Sequence, residues 1–477
     1  MKKEPVMPKE LNAKLRSEGF DEVCSVYSEE EAISEASRCI QCKDPACVSG
    51  CPVGIDIKKF IFEIARKDYL SAYSTIREKN NFPAMCGRVC PAEYQCRKAC
   101  VFTKKGSPFA SDKAINIHFL ERFVADFGID NGLDISAEKD KKLENYKVAV
   151  IGSGPAGLCC AGELARKGIK VVLFEALHKT GGVLRYGIPP FRLPQDILDF
   201  EIGNLKKLGV DIECNIIIGK TKLLKELFDE GFKAVFLALG AGVPSFLGIP
   251  GENLCNTYSA NEFLTRVNLM GAYKFPQYHT PINVGKHVIV VGGGNTAMDA
   301  ARVALRLQKL HNIAPDVTVF YRRTENEMPA RRLEILHAKE EGIKFEFLVQ
   351  PVEFKGDKEN SYVDKIRSLR CELGEPDDSG RRRPVAIKGS EFEVDCDEAV
   401  IAVGLKANQV LTKATPELKI DKWSDIIVDP ETMETSIKSV YAGGDIVGGE
   451  GTVIEAMGMA KKAAAAIIDR LLWYRKV

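Results

Sequence analysis

KVAVIGSGPAG, residues 147–157, is the stretch that decides the fold. Its apolar half reads as a β-strand. Its second half breaks into Gly152, Gly154 and Gly157, the spacing that turns a strand sharply, lets backbone approach a pyrophosphate and seats a helix closely on the sheet. Immediately outward, LCCAGELARKG supplies the helix and KVVLFEA a second strand, whose Glu175 lies about 20 residues on, where a carboxylate can accept ribose hydroxyls. Strand, turn, helix and strand in that order predict a mononucleotide-binding half on a parallel sheet.

The same unit recurs at HVIVVGGGNTAMDAARVALRL, residues 287–307, with Gly292, Gly294, Asn295 and Ala297 in the G-x-G-x-x-A spacing. Its next strand, DVTVFYRR, ends in Arg322 and Arg323 instead of a carboxylate. A guanidinium grips a 2′-phosphate with forked hydrogen bonds that an acidic residue would repel, so the second site is expected to take NADP(H) rather than NAD(H). Between the two units, TGGVLRYGIPPFRLP, residues 180–194, is dense in Gly and Pro and predicts a shaped, irregular loop. Residues 344–400 alternate in strand fashion around RRRP, as a surface hairpin would, and the C-terminal YAGGDIVGG, residues 441–449, precedes a long helix.

Eight of the fifteen cysteines fall between residues 39 and 100. Cys39, Cys42, Cys47 and Cys51 give C-x2-C-x4-C-x3-C followed by Pro52; Cys86, Cys90, Cys96 and Cys100 give C-x3-C-x5-C-x3-C with Pro91 after the second. Thiolates at these separations, with a proline closing the run, suit two cubane iron–sulfur clusters. Zinc knuckles are the competing reading, disfavoured because zinc sites prefer paired C-x2-C units. Simple counting assigns four cysteines to each cluster. IDIKKFIFEIARKDYLSAYSTIREKN, between the groups, reads as two short amphipathic helices, and KAINIHFLERFVADFG as another that carries Glu121. Ser28 and Glu31 have capping-box spacing ahead of the first helix, and the preceding 27 residues read as a polar arm or docking segment.

At 477 residues the chain is long enough for about three domains. A net charge of +1 offers nothing to recruit nucleic acid or a membrane. The start has no apolar core behind its lysines and no apolar run reaches the roughly 18 residues of a spanning helix, so a cytoplasmic location is expected. Structural disulfides are not expected in that reducing compartment.

The order G-S-G-P-A-G, Glu175, glycine-rich loop, G-G-G-N-T-A, Y-R-R and G-G-D resembles the two-dinucleotide-binding-domain flavoprotein oxidoreductases. With the cysteines included, C-x2-C-x4-C-x3-CP, CGRVCP, GGVLRYGIPPFRLP and AGGD, the resemblance from about Ser28 onward narrows to one branch. It holds the glutamate synthase small subunit, the N-terminal part of dihydropyrimidine dehydrogenase, and the large subunit of NADH-dependent reduced ferredoxin:NADP oxidoreductase, a bifurcating transhydrogenase. The last looks closest. The resemblance implies an α/β architecture of two Rossmann-like domains, the FAD domain interrupted by the NADP domain, behind a small helical domain carrying two 4Fe-4S clusters. The expected divisions are residues 1–130 for the clusters, 146–280 and 401–477 for FAD, and 281–400 for NADP(H), with residues 129–145 as linker.

Carried over residue by residue, the resemblance implies FAD contacts at Gly152, Gly154, Gly157, Glu175, Gly182, Asp445 and Thr452, with the helix beginning near Thr452 aimed at the flavin. It implies NADP(H) contacts at Gly292, Gly294, Asn295, Ala297, Arg322 and Arg323. It also redraws the cysteine allocation: one cluster takes Cys39, Cys42, Cys47 and Cys100, the other Cys51, Cys90, Cys96 and Glu121, with Cys86 the alternative ligand to Glu121. Arg185 and Arg192 are candidates to contact flavin or nicotinamide. Cys159 and Cys160, adjacent on one helix, point in different directions and read as packing residues rather than a redox-active pair. The implied partners are a second redox subunit and ferredoxin, or, in the alternative reading, the amidotransferase subunit of glutamate synthase. A nucleotide-sensing module without turnover is the reading from a different class; it would hold no iron and show no flavin bleaching with NADPH.

Overall fold

The computed structural model describes residues 4–107, 109–133, 137, 139–377, 380–448 and 451–474. Two five-stranded sheets organise it. In the first, all parallel, the order is Val440–Ala442, Ala234–Leu237, Lys147–Ile151, Lys170–Glu175 and Val210–Cys214. Ala149, Val150, Val235 and Phe236 are buried, as continuous apolar runs must be when helices cover both faces of a parallel sheet. The C-terminal strand lies beside Ala234–Leu237, so the second sheet is an insertion into the first domain.

That second sheet, also parallel, runs Thr257–Ser259, Glu398–Ile401, Val288–Val291, Val317–Tyr321 and Lys344–Phe347. Thr257–Ser259 belongs to it, so the chain crosses between domains earlier than the expected division at residue 281. The crossing is marked by the two-stranded antiparallel ribbon of Val243–Pro244 with Leu405–Lys406. Residues 349–395 build more than the expected hairpin: Val349–Gly356, Val363–Pro376, Arg382–Ala386 and Phe392–Asp395 form a four-stranded antiparallel sheet on the edge of this domain.

The cysteine-bearing domain is helical. Ser28 caps Glu29–Ala36 through the expected box, its Oγ accepting from the Glu31 N–H at 3.2 Å while the Glu31 carboxylate accepts from the Ser28 N–H at 2.8 Å. Asp56 and Asp68 cap Ile57–Ala65 and Tyr69–Arg77, the two amphipathic helices between the cysteine groups. Phe60, Ile64, Phe82 and Leu120 share one core with Leu158 and Leu164 of the first sheet's helix Pro155–Arg166 and with Ala460 and Ile467 of the long helix Val453–Tyr474. The expected linker lies partly outside the described residues, as does the Gly449 end of the C-terminal glycine stretch.

The N-terminal arm docks on its own chain. Phe20 and Val23 enter the core of the second domain beside Phe191 and Phe263, and Arg16 is buried there with its guanidinium on Glu341 at 3.1 Å. His337 Nε2 lies 3.0 Å from the Glu10 carboxylate and holds the arm's first turn to the helix Arg332–Glu340. Among the described residues no helix is long and apolar enough to cross a membrane.

Candidate cofactor sites

The first glycine turn is built by close approach. A Cβ on Gly157 would stand 1.8 Å from the Gly152 carbonyl oxygen, a position only glycine can fill. Nothing stands within 4 Å of the point where a Cβ would project from Gly154, which caps helix Pro155–Arg166 with no side-chain acceptor on its first N–H groups. Unfilled space over a helix N-terminus with free amides is the cradle a pyrophosphate requires. Gly182 abuts this turn: a Cβ there would lie 2.7 Å from Gly154 Cα. Glu175, at the end of its strand, accepts from the Ser153 N–H at 2.9 Å and the Leu177 N–H at 2.8 Å, so its carboxylate is fixed at the turn.

Across the sheet, Asp445 opens the short helix Asp445–Gly448 and accepts from the Gly451 N–H at 3.2 Å. Thr452 caps Val453–Tyr474 reciprocally: its hydroxyl donates to Glu455 Oε2 at 2.7 Å and accepts from the Glu455 N–H at 3.3 Å. The expected flavin residues thus meet along the C-terminal edge of one sheet, where ligands of open parallel sheets bind.

In the second unit Gly292 adopts φ +147°, and a Cβ there would stand 2.2 Å from the Ala402 carbonyl oxygen. Gly294 caps Asn295–Leu310 with the same open space above it, and Ala297 is buried. Asn295 accepts from the Arg331 N–H at 2.9 Å through its side-chain oxygen, which ties the turn to residues 330–331; Ala330 in turn donates its N–H to the Gly293 carbonyl at 3.2 Å. The two arginines part company. Arg322 is exposed, whereas Arg323 is buried, pairing with Asp377 at 2.6 Å and donating to the Arg382 carbonyl at 2.8 Å. Side chains alternate along a strand end, so the Arg322 guanidinium is left in the open while that of Arg323 braces the edge sheet.

Arg185 and Arg192 are likewise engaged inside the protein. Arg185 shapes its own loop, donating to the Thr180 carbonyl at 2.6 Å, to Gln195 at 3.0 Å and to Asp199. Arg192 reaches the second domain, where it pairs with Asp299 at 2.6 Å and Glu334 at 3.1 Å. Burial would raise the Glu334 carboxyl, but Arg192, Arg302 and Arg331 outweigh it and lower it to about 2. These bonds make Arg192 an interdomain brace.

Seven of the eight cysteines sort into two groups in space, and the division is not the division in sequence. Cys39, Cys42, Cys47 and Cys100 stand close enough that, after burial, their mutual repulsion pushes the Cys47 thiol up to about 12. Cys51, Cys90 and Cys96 line one cavity with Glu121, His118, Gln95 and Ile454. Burial, helped by the Glu121 charge, raises Cys51 to about 11, and burial raises Glu121 itself to about 8 against the bond it accepts from Asn80 Nδ2 at 2.7 Å. An apolar cavity lined by three thiols and a carboxyl, each of which burial makes costly to ionise, fits a positively charged iron–sulfur core, which binds such donors deprotonated. Cys86 is buried and does not line this cavity; its side chain hydrogen-bonds that of Cys90 and lies 3.8 Å from Asn80 Oδ1 and 3.8 Å from Met457 Sδ. Cys159 and Cys160 are fully buried in helix packing, as expected.

Sequence reasoning passed over Asn80, Gln95 and His118. His118 precedes Glu121 by one helical turn, lines the same cavity and leaves Nδ1 buried without a hydrogen-bond partner. Its helical spacing from Glu121 was the available signal. Asn80 and Gln95 carried none, since their partners are distant in sequence.

The family model described as pyridine nucleotide-disulphide oxidoreductase matches residues 146–463, and that described as dihydropyrimidine dehydrogenase domain II, 4Fe-4S cluster, matches residues 16–133. The small chain of Azospirillum brasilense NADPH glutamate synthase is 34% identical over 97% of this chain and 93% of its own length. This chain belongs to the FAD and iron–sulfur NADPH oxidoreductase family of the glutamate synthase small subunit. It is an NADP(H)-dependent oxidoreductase whose cofactors are FAD, NADP(H) and 4Fe-4S clusters. Subunit beta of the Moorella thermoacetica NADP(+)-dependent formate dehydrogenase is 38% identical over 88% of this chain, which spans 59% of that subunit's length. Among solved structures, Mycobacterium tuberculosis FprA in complex with NADPH matches 69% of this chain and 85% of its own at 22% identity and a TM-score of 0.59, a likeness of fold.

Proposed function

We propose that this chain is the NADPH-linked electron-transfer subunit of a multi-subunit enzyme, moving electrons between NADP(H), FAD and 4Fe-4S clusters to ferredoxin, as the large subunit of the bifurcating ferredoxin:NADP transhydrogenase does. Bound FAD supplies the chemistry that the other cofactors lack, exchanging a two-electron hydride for single electrons. The chain's own residues bind and orient. Gly292, Gly294, Asn295 and Ala297 form the NADP(H) turn, with Arg322 on the 2′-phosphate. Gly152, Gly154, Gly157, Glu175, Gly182, Asp445 and Thr452 hold FAD. Cys51, Cys90, Cys96 and Glu121 ligate the cluster next to the flavin helix, and Cys39, Cys42, Cys47 and Cys100 the outer one. Cys86 packs behind Cys90.

The observation that carries the ferredoxin reading is the outer group's surface. Ile40 and Val101, next in sequence to Cys39 and Cys100, are 60% and 61% exposed, and the same segments expose Lys43, Lys98, Lys104 and Lys105 against one acid, Asp44. Exposed apolar residues and an excess of lysines in the segments that carry these cysteines suit an acidic one-electron carrier. The amidotransferase reading draws on a different observation, the match to 93% of the Azospirillum glutamate synthase small chain. Anaerobic purification of the native complex, with the partner's mass determined, separates them. A small flavin or iron–sulfur partner with salt-sensitive ferredoxin reduction supports the first; a much larger amidotransferase partner supports the second.

A further inference from the structure

Gln95 stands between Cys90 and Cys96 in sequence and lines the cavity those thiols share with Cys51 and Glu121. Its Nε2 also leaves the cysteine domain and donates to Thr452 Oγ1 at 3.1 Å, on the N-cap of helix Val453–Tyr474. The Thr452 hydroxyl then has one proton given to Glu455 and two bonds accepted, from Gln95 and from the Glu455 N–H, which is its full capacity. Ile454, two residues on, forms part of the cavity wall, and the Pro52 carbonyl oxygen lies 2.9 Å from where a Cβ on Gly458 would stand. The inner cysteine loop and the first turns of this helix are therefore in direct contact, with Gln95 as the polar tie between them.

We infer that Gln95 is a positioning residue that fixes the inner cysteine loop against the flavin-facing end of helix Val453–Tyr474, and so sets how readily one electron passes from reduced FAD to the oxidised inner cluster. This rests on the ligand reading above. In that step the two-electron-reduced flavin loses one electron and the cluster gains it, and NADPH supplies the pair. A side chain tied at both ends limits the excursions of the loop. Without it the contact opens more often, by about the fivefold that one net hydrogen bond governs.

The test compares the anaerobic holoenzyme with Gln95→Leu, which keeps bulk and loses the donor, and Thr452→Val, which loses the acceptor. In Gln95→Leu, iron and flavin contents and the flavin potential stay at wild-type values, and NADPH bleaches the flavin at the wild-type rate. Amide hydrogen exchange over residues 451–456 quickens by about fivefold, and the reduced-cluster signal in freeze-quench electron paramagnetic resonance rises more slowly, by at most about that factor. Thr452→Val, which also loses the two cap bonds to Glu455, shows a larger rise in exchange, and adding Gln95→Leu to it raises exchange no further, since the bond between the two residues is already gone. Wild-type exchange and cluster reduction in Gln95→Leu would overturn the inference; so would equal slowing of flavin bleaching, loss of iron, or additive exchange in the double variant. A wild-type protein without two cluster signals would instead defeat the ligand reading, while the exchange measurement still judges Gln95.

Discussion

Glu341→Gln tests how the nicotinamide domain and the N-terminal arm are held together. The Glu341 side chain is fully buried and accepts from Arg302 at 3.0 and 2.8 Å, from Arg306 at 2.8 and 3.2 Å, and from Arg16 of the arm at 3.1 Å. Burial pulls its pKa up, and Arg302 and Arg306 overcome that pull to bring it to about 2 from an ordinary 4.5. Burial also lowers Arg306 to about 10, which leaves it charged at neutral pH. A carboxyl ionising at about 2 when folded and near 4.5 when unfolded contributes about 3 kcal/mol at neutral pH. Because the folded value is the lower one, this contribution is complete above 4.5 and is lost as pH falls from there through 2. Removing the charge also takes from buried Arg306 the carboxylate it pairs with, for which about 3–5 kcal/mol is typical, while Arg302 keeps Glu334 at 2.5 Å. The variant is therefore expected to be about 3 kcal/mol less stable by urea unfolding at pH 7, with faster proteolytic release of the arm. The gap should narrow to about 1 kcal/mol at pH 3. A loss below about 1 kcal/mol at pH 7, or a gap that does not narrow on acidification, would refute the reasoning.

Three further outcomes follow from the cofactor sites. Arg322→Ala should lower kcat/KM for NADPH by about 10- to 100-fold while sparing NADH, the range of a lost charge-assisted hydrogen bond, whereas Arg323→Ala should leave the NADPH-to-NADH ratio unchanged and loosen the edge sheet; equal effects in steady-state assays would contradict the division of roles. Gly157→Ala places a methyl 1.8 Å from the Gly152 carbonyl and should yield protein without FAD, read from the visible absorbance of the purified chain. Glu121→Ala should alter the resonance signal of one cluster, and Cys86→Ala should leave iron content and both signals intact; the opposite pattern would make Cys86 the ligand.

How far the sequence could be read depends on the range of the contacts involved. Both glycine turns, their helices and the sheets behind them follow from local spacing, because a turn at Gly152 or Gly292 is fixed by atoms within a few dozen residues of chain. The interruption of the first domain came from the resemblance, and the strand Thr257–Ser259 shows why its edge was misjudged: three residues carry too little periodicity to reveal which sheet they join. Arg323 and Arg192 illustrate the same limit in single side chains. Each sits where a ligand contact was reasonable, and each is captured by a carboxylate, Asp377 or Asp299, that sequence distance had hidden.

The cysteines show the limit most sharply. Cys96 and Cys100 are four apart, a spacing that on an α-helix would put both on one face and favour assigning them to one cluster. Residues 92–99 instead form successive turns, in which the Arg97 N–H bonds the Ala92 carbonyl at 2.9 Å and the Cys100 N–H bonds the Arg97 carbonyl at 3.1 Å. That path takes Cys96 into the inner cavity with Cys51 and Cys90, and Cys100 to the outer group with Cys39, Cys42 and Cys47. Cys47 and Cys51 divide the same way, Cys47 lying within the four-residue helix Ala46–Ser49 and Cys51 two residues past its end. Each group therefore draws thiols from both cysteine segments, so neither can close until Ile57–Ala65 and Tyr69–Arg77 have packed and brought the segments together. On the proposed ligand reading, cluster assembly is coupled to folding of this domain, and chelation of iron should release structure in the helices between the segments as well as in the cysteine loops.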